Sequence, residues 1–133
     1  MINEKEILTA QTAETVGRPD FTAEIAQLVK SDLSPKMLHE KLLGYHDSDI
    51  AEAAEMLEAP ERIKLFRILE TAELADVFEY IPSEKAAEYL GETDIRKTVA
   101  LIGSMESDAA ADILRELSKE KRTQVIALLD GDF

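Results

Sequence analysis

The chain has 133 residues, of which 45% are apolar and 32% charged, with five Gly and four Pro, a composition typical of one folded globular domain. It contains no Cys, which excludes disulfides, thiolate metal sites and cysteine nucleophiles. Its net charge of −13 argues against nucleic acid as a partner and favours a cation or a basic protein surface.

The sequence has no segment that predicts membrane insertion. Its longest apolar runs, such as residues 99–102, are far shorter than the roughly 20 residues that a bilayer span needs. The N-terminus lacks the basic and apolar regions of a signal peptide. We therefore expect a soluble chain that does not itself enter a membrane.

The first part of the chain differs from the rest. Residues 1–19 show little periodicity, and Gly17, Arg18 and Pro19 would break a helix. We predict a loosely ordered arm over residues 1–19 and one helical domain over residues 20–133. The domain begins with two capping helices, which start after Asp20 and at Pro35.

A repeated apolar pattern follows. Seven apolar residues, which we call reference residues, each stand at the end of a short stripe of apolar positions. The residues three and four positions before each of them are also apolar, except for Thr98. Residues at this spacing lie on one face of a helix. Because helices this short are marginal alone, stacked antiparallel pairs must share one core, which predicts an all-α solenoid. The reference residues are Leu57, Leu69, Ile81, Leu90, Ile102, Leu117 and Leu129.

Several residues mark the expected helix ends. Asp49 with Glu52, and Asp94 or Thr93, are predicted N-terminal caps, while His39 and His46 are interpreted as surface or capping residues. Three Arg near first turns can pair with acids of adjacent repeats. The predicted first-turn prolines are Pro35, Pro60 and Pro82. Gly44, Gly91 and Gly103 are predicted to end helices in the left-handed conformation. The three arginines are Arg62, Arg96 and Arg122.

The order of these motifs over about residues 20–130 resembles the N-terminal cytosolic domain of the MgtE magnesium transporters. One departure is Asp47, where the family usually has Pro. The resemblance implies a right-handed superhelix of short helices. The motifs are HDSDIAE at residues 46–52, FRIL at 66–69, LADVF at 74–78 and DAAADILREL at 108–117.

The acidic residues supply a candidate cation site. Asp108 and Asp112 are four residues apart and so face the same side of a helix, and Asp76 holds the equivalent position in an earlier repeat. Mg²⁺ prefers oxygen ligands and keeps several of its waters. The resemblance implies that Asp76, Asp108 and Asp112 are ligands of weak, interfacial magnesium sites that a partner completes. Acids near helix starts are also favoured by the helix dipole alone, so both interpretations remain open.

The resemblance implies a function for the whole chain. In the MgtE family this domain senses intracellular Mg²⁺, docks on CBS domains and regulates a transmembrane magnesium pathway, on the cytoplasmic side of the cell membrane and within a homodimeric transporter. The alternative is a free-standing interaction scaffold, because similar short-helix solenoids occur in flagellar motor switch proteins. No catalytic motif is present, and we do not expect an enzyme.

Overall fold

The computed structural model describes residues 21–129, and every regular element in this range is an α-helix. The predicted all-α class is therefore confirmed, whereas the predicted arm over residues 1–19 lies outside the described residues. The helices are α1 (Phe21–Lys30), α2 (Pro35–Leu42), α3 (Asp47–Met56), α4 (Ala59–Ile68), α5 (Thr71–Phe78), α6 (Ser83–Gly91), α7 (Ile95–Gly103), α8 (Ser107–Glu116) and α9 (Lys119–Leu129).

Helices pack mainly against their second neighbours in the chain. One row runs from α1 through α3, α5 and α7 to α9, and the other contains the pairs α2 with α4 and α6 with α8. Each helix is short, so it is stabilised by burial against its neighbours rather than by its own length. This arrangement is the predicted superhelix of short helices.

The apolar stripes form the core between the two rows. Six of the seven reference residues are buried, and Leu129 at the end of α9 is half-exposed. Phe66 packs edge-on against Phe78, with ring centroids 5.2 Å apart, and lies 6.0 Å from the ring of Tyr89. Thr98, the one polar stripe residue, is fully buried, and its hydroxyl donates to the Asp94 carbonyl at 3.3 Å.

The helix starts agree with the sequence in part. Pro35 lies in the first turn of α2 and Pro60 in that of α4, but Pro82 precedes α6 as its N-cap. Asp94 caps α7 as predicted. The prediction of Asp49 as a cap was wrong, since the His46 ring nitrogen Nδ1 accepts the Ser48 N–H at 3.0 Å and fills that position for α3.

The helix ends differ from the prediction. None of the three glycines has a φ in the left-handed region, so their role as left-handed stops was wrong. Gly91 and Gly103 are the last residues of α6 and α7, and right-handed turns at Glu92 and Ser104 end these helices. A Cβ at Gly103 would lie 3.4 Å from Leu129 Cδ2. This is an ordinary van der Waals distance to the end of a flexible side chain, so the position would accept a Cβ.

Candidate cation-binding cleft

An acidic cleft lies between α5 and the turn that joins α7 to α8. Its volume is about 680 Å³, and its charged lining residues are Asp76, Glu79 and Glu106, with no Lys or Arg among the lining. Liquid water occupies ~30 Å³ per molecule, so the cleft has room for a cation that keeps its hydration shell. We call this feature the acidic cleft.

The packing of the odd-numbered helices forms this cleft. Asp76 lies on α5 with its side chain exposed, because the residues that this helix buries are Leu74, Ala75, Val77 and Phe78. Since α5 packs against α7, the turn that follows α7 comes beside the exposed face of α5. Glu106 is the N-cap of α8, but its side chain makes no capping hydrogen bond. Its carboxylate is therefore available to a ligand.

Asp108 and Asp112 lie next to the acidic cleft on α8. Both are exposed, and Asp108 is in the first turn of this helix, directly before Ala109, which lines the cleft. Asp112 accepts a hydrogen bond from Arg115 Nη2. A cation that binds Asp112 must therefore compete with an existing charge partner.

The structure brings the predicted residues only partly together. Asp76 and the start of α8 share the cleft, while Asp112 lies one turn further along α8. Within residues 21–129 no group of three or more carboxylate or His side chains converges closely enough to hold a metal ion. The role of Asp76, Asp108 and Asp112 as ligands stays a prediction.

Two cleft residues were missed in the sequence. Glu79 follows Asp76 by three residues, so helical spacing alone places them on one side of α5. Glu106 gave no comparable signal, because an acid directly before a helix usually serves as its cap. The tertiary packing that brings the α7–α8 turn beside α5 is what adds Glu106 to the cleft.

Basic side chains near the core are already engaged. Arg62 pairs with Glu92, and Lys97 Nζ donates to the Leu69 carbonyl at 2.8 Å. Burial lowers the pKa of Lys97, and the nearby carboxylates of Glu73 and Glu70 act in the opposite direction. These cations stabilise helix ends and do not line the acidic cleft.

Over the described range, no helix combines the length and apolar character needed to cross a membrane.

Comparisons with known proteins agree with the helical fold. The family model of the MgtE intracellular N domain matches residues 45–132. A solved structure described as the soluble part of a magnesium transporter is similar to this chain with a TM-score of 0.71 and 25% identity. The match covers 81% of this chain and 43% of that chain, so this chain spans less than half the length of that structure. The comparison with curated proteins gave no match.

Proposed function

This chain belongs to the MgtE intracellular N domain family, and from that membership we propose that it is the Mg²⁺-sensing regulatory domain of a magnesium transporter. The acidic cleft is the observation that carries the proposal. It holds three carboxylates with no basic lining residue and is open to solvent, where a neighbouring domain can approach.

The chemistry of the cleft suits a sensor rather than a permanent metal site. Two carboxylates about 6 Å apart repel by roughly 0.7 kcal/mol in water, and more near a low-dielectric surface. A divalent cation between acidic surfaces turns this repulsion into attraction. Because Mg²⁺ keeps most of its waters and uses one or two carboxylates, such a site is weak and responds to the concentration of the free ion.

The missing ligands would come from a partner. The MgtE resemblance suggests that Asp76, Asp108 and Asp112 face the CBS domains of the same transporter, which lies in the cell membrane with this domain on the cytoplasmic side. Bound Mg²⁺ then holds the domains together and closes the pathway, and loss of the ion lets them separate. In the homodimeric transporter each subunit would supply one such interface.

The test uses the complete transporter. Mg²⁺ titrations followed by limited proteolysis should show a more compact, resistant protein at high Mg²⁺ for the wild type. Replacing the three acids by Asn should move the midpoint to at least about tenfold higher Mg²⁺, because an interface that loses about 1.4 kcal/mol of binding free energy shifts by that factor. The variant is Asp76→Asn, Asp108→Asn, Asp112→Asn.

A matched control removes the same charge from exposed sites that do not line the cleft. The control variant is Asp32→Asn, Glu40→Gln, Glu84→Gln, whose side chains are exposed. It should leave the midpoint within about twofold of wild type, because exposed charges that do not bind the ion contribute little. An unchanged midpoint in the variant of Asp76, Asp108 and Asp112 would rule out these three ligands. No Mg²⁺ response in the wild-type transporter would favour the scaffold alternative.

A further inference from the structure

Arg62 sits in a complete binding arrangement inside the fold. Its Nη1 donates to the carbonyls of Ala54 at 2.8 Å and Leu57 at 2.7 Å, at the end of α3. Its Nε and Nη2 donate to the two carboxylate oxygens of Glu92 at 3.0 and 3.1 Å. The Tyr89 ring lies 4.4 Å from the guanidinium carbon. We call this arrangement the arginine socket.

Arg122 repeats half of this socket at the other end of the described chain. Its Nε donates to the Leu114 carbonyl at 3.0 Å and its Nη2 to the Leu117 carbonyl at 3.1 Å. These acceptors precede Arg122 by eight and five residues, the same separations that link Arg62 to its carbonyls. Both arginines therefore bind carbonyls at the end of the preceding helix, Arg62 through Nη1 and Arg122 through Nε and Nη2.

The two sites differ in what completes them. Arg62 receives an aromatic ring from α6 and a carboxylate from the residue that follows α6, whereas among residues 21–129 no carboxylate pairs with Arg122 and no ring lies over it. Because Arg122 uses only Nε and one N–H of Nη2, three of its five N–H groups remain for a ligand.

The surface beside Arg122 is apolar. Ile126, one turn further along α9, is 42% exposed, and Leu129 at the end of this helix is 38% exposed. Residues spaced by four and three positions lie on one helix face, so the cation and the two apolar side chains form a continuous strip. We call this strip the end face.

We propose that the end face binds a helix from an adjoining part of the transporter that carries an aromatic residue and a carboxylate. The internal precedent is the end of α6, where Tyr89 covers the guanidinium of Arg62 and Glu92, the C-cap, pairs with its Nε and Nη2. At Arg122 the edge left for such a pair is formed by Nη1 and the second N–H of Nη2. Bidentate carboxylate pairing and stacking on an aromatic ring are the contacts that arginine makes best. This inference rests on the proposed function, since it takes the partner from the transporter.

A second copy of this chain does not fit the end face. Its own Tyr89 and Glu92 are engaged by Arg62, and two chains that each carry a net charge of −13 repel one another. The solved magnesium transporter structure has more than half of its chain outside the matched part, so transporters of this type have further soluble chain to supply the helix.

A labelling experiment in the complete transporter tests the proposal. The present chain has no Cys, so Ile126→Cys and Met56→Cys each introduce one thiol into this domain. Both positions are exposed in the described chain, at 42% and 55%, which makes Met56→Cys the matched control. With native cysteines elsewhere replaced, we expect a maleimide to label Ile126→Cys at least about tenfold more slowly, because a covering helix must open before the thiol can react.

Adding Arg122→Glu should bring the labelling rate of Ile126→Cys to within about twofold of the control rate, because the new carboxylate repels the incoming one. The proposal is overturned if Ile126→Cys reacts as quickly as Met56→Cys while Arg122 is intact. It is also overturned if Ile126→Cys is protected but Arg122→Glu leaves that protection in place, since a carboxylate ligand would then be excluded.

The same samples separate this proposal from the proposed function. Labelling is measured with Mg²⁺ and with a chelator, and protection of Ile126→Cys in either condition supports the end face. Loss of every Mg²⁺ response, with protection of Ile126→Cys retained, would contradict magnesium sensing alone. A normal Mg²⁺ midpoint with an unprotected Ile126→Cys would contradict the end face alone.

Discussion

Arg62 on α4 and Glu92 after α6 form a two-pronged ion pair across thirty residues of chain, with N–O distances of 3.0 and 3.1 Å. The two side chains are only 10% and 23% exposed. Because the same guanidinium also binds the carbonyls that end α3, one side chain on α4 joins the end of α3 to the end of α6. The hydrogen bonds that Arg62 donates to Glu92 raise the pKa of Arg62 further, so this cation stays charged.

Loss of Arg62 should therefore be costly. We expect Arg62→Met to lower the free energy of unfolding by about 3 kcal/mol, since it leaves Glu92 and two carbonyls without their donor. Glu92→Gln should cost only about 1 kcal/mol, because the amide oxygen still accepts one hydrogen bond. Urea unfolding followed by circular dichroism measures both values.

The control for this prediction is Arg67→Met, because Arg67 lies exposed on the same helix. Its effect should stay within about 0.5 kcal/mol, as is usual for surface substitutions. Equal costs at Arg62 and Arg67 would show that the ion pair and the two carbonyl contacts add nothing to stability.

Lysines provide a second type of link between helices. Lys64 Nζ donates to the carbonyls of Val29 at 2.7 Å and Ser31 at 3.1 Å, and Lys97 Nζ donates to that of Leu69 at 2.8 Å. In both cases the lysine lies on the third helix after the one whose C-terminal carbonyls it binds. We expect Lys97→Met to lower the free energy of unfolding by about 1 kcal/mol. The variant loses a charged hydrogen-bond donor, but it also no longer has to bury a charge.

The measurement for Lys97→Met is again urea unfolding, with Lys36→Met as the control at an exposed position of α2. Hydrogen exchange offers a local check, because the amides in the last turn of α4 should lose protection before those of α8. Uniform loss of protection over all helices would contradict a local capping role.

The core and most helices could be predicted from the sequence, because apolar spacing at three and four residues leaves no alternative to short amphipathic helices. The helix ends were less predictable. A cap depends on which side chain reaches the free N–H groups, and at α3 this is His46 rather than Asp49. The acidic cleft was predictable at Asp76 but not at Glu106, since only the packing of α7 on α5 brings these residues to one cleft.

Glu73 links α5 to α2 and gives the domain a pH dependence. Its Oε1 lies 2.8 Å from His39 Nε2 and accepts the Glu70 N–H at 2.9 Å. Burial raises the pKa of Glu73, but the hydrogen bonds from the Glu70 N–H and from His39 act in the opposite direction, and the net pKa lies below its usual value. The native carboxylate is thus stabilised relative to the unfolded one.

The sign of the effect follows from this lowered pKa. The stabilisation is fully present above the ordinary Glu value of 4.5 and is lost as pH falls through the lower native pKa. We expect Glu73→Gln to cost ~0.5 kcal/mol at neutral pH and almost nothing well below pH 4.5. Urea unfolding across this pH range tests this expectation, with Glu84→Gln at an exposed position as the control. A cost of Glu73→Gln that stays constant with pH would show that the ionised carboxylate of Glu73 is not what stabilises the fold.

Arg115 competes with any cation at Asp112, because its Nη2 already donates to that carboxylate. Arg115→Ala should therefore lower the Mg²⁺ midpoint of the transporter by about two- to threefold. This factor corresponds to the ~0.5 kcal/mol that an exposed ion pair contributes. Arg96→Ala removes the same charge from the exposed surface of α7 and serves as the control. If both variants shifted the midpoint equally, the effect would be a general change in net charge, and Asp112 would not be a ligand.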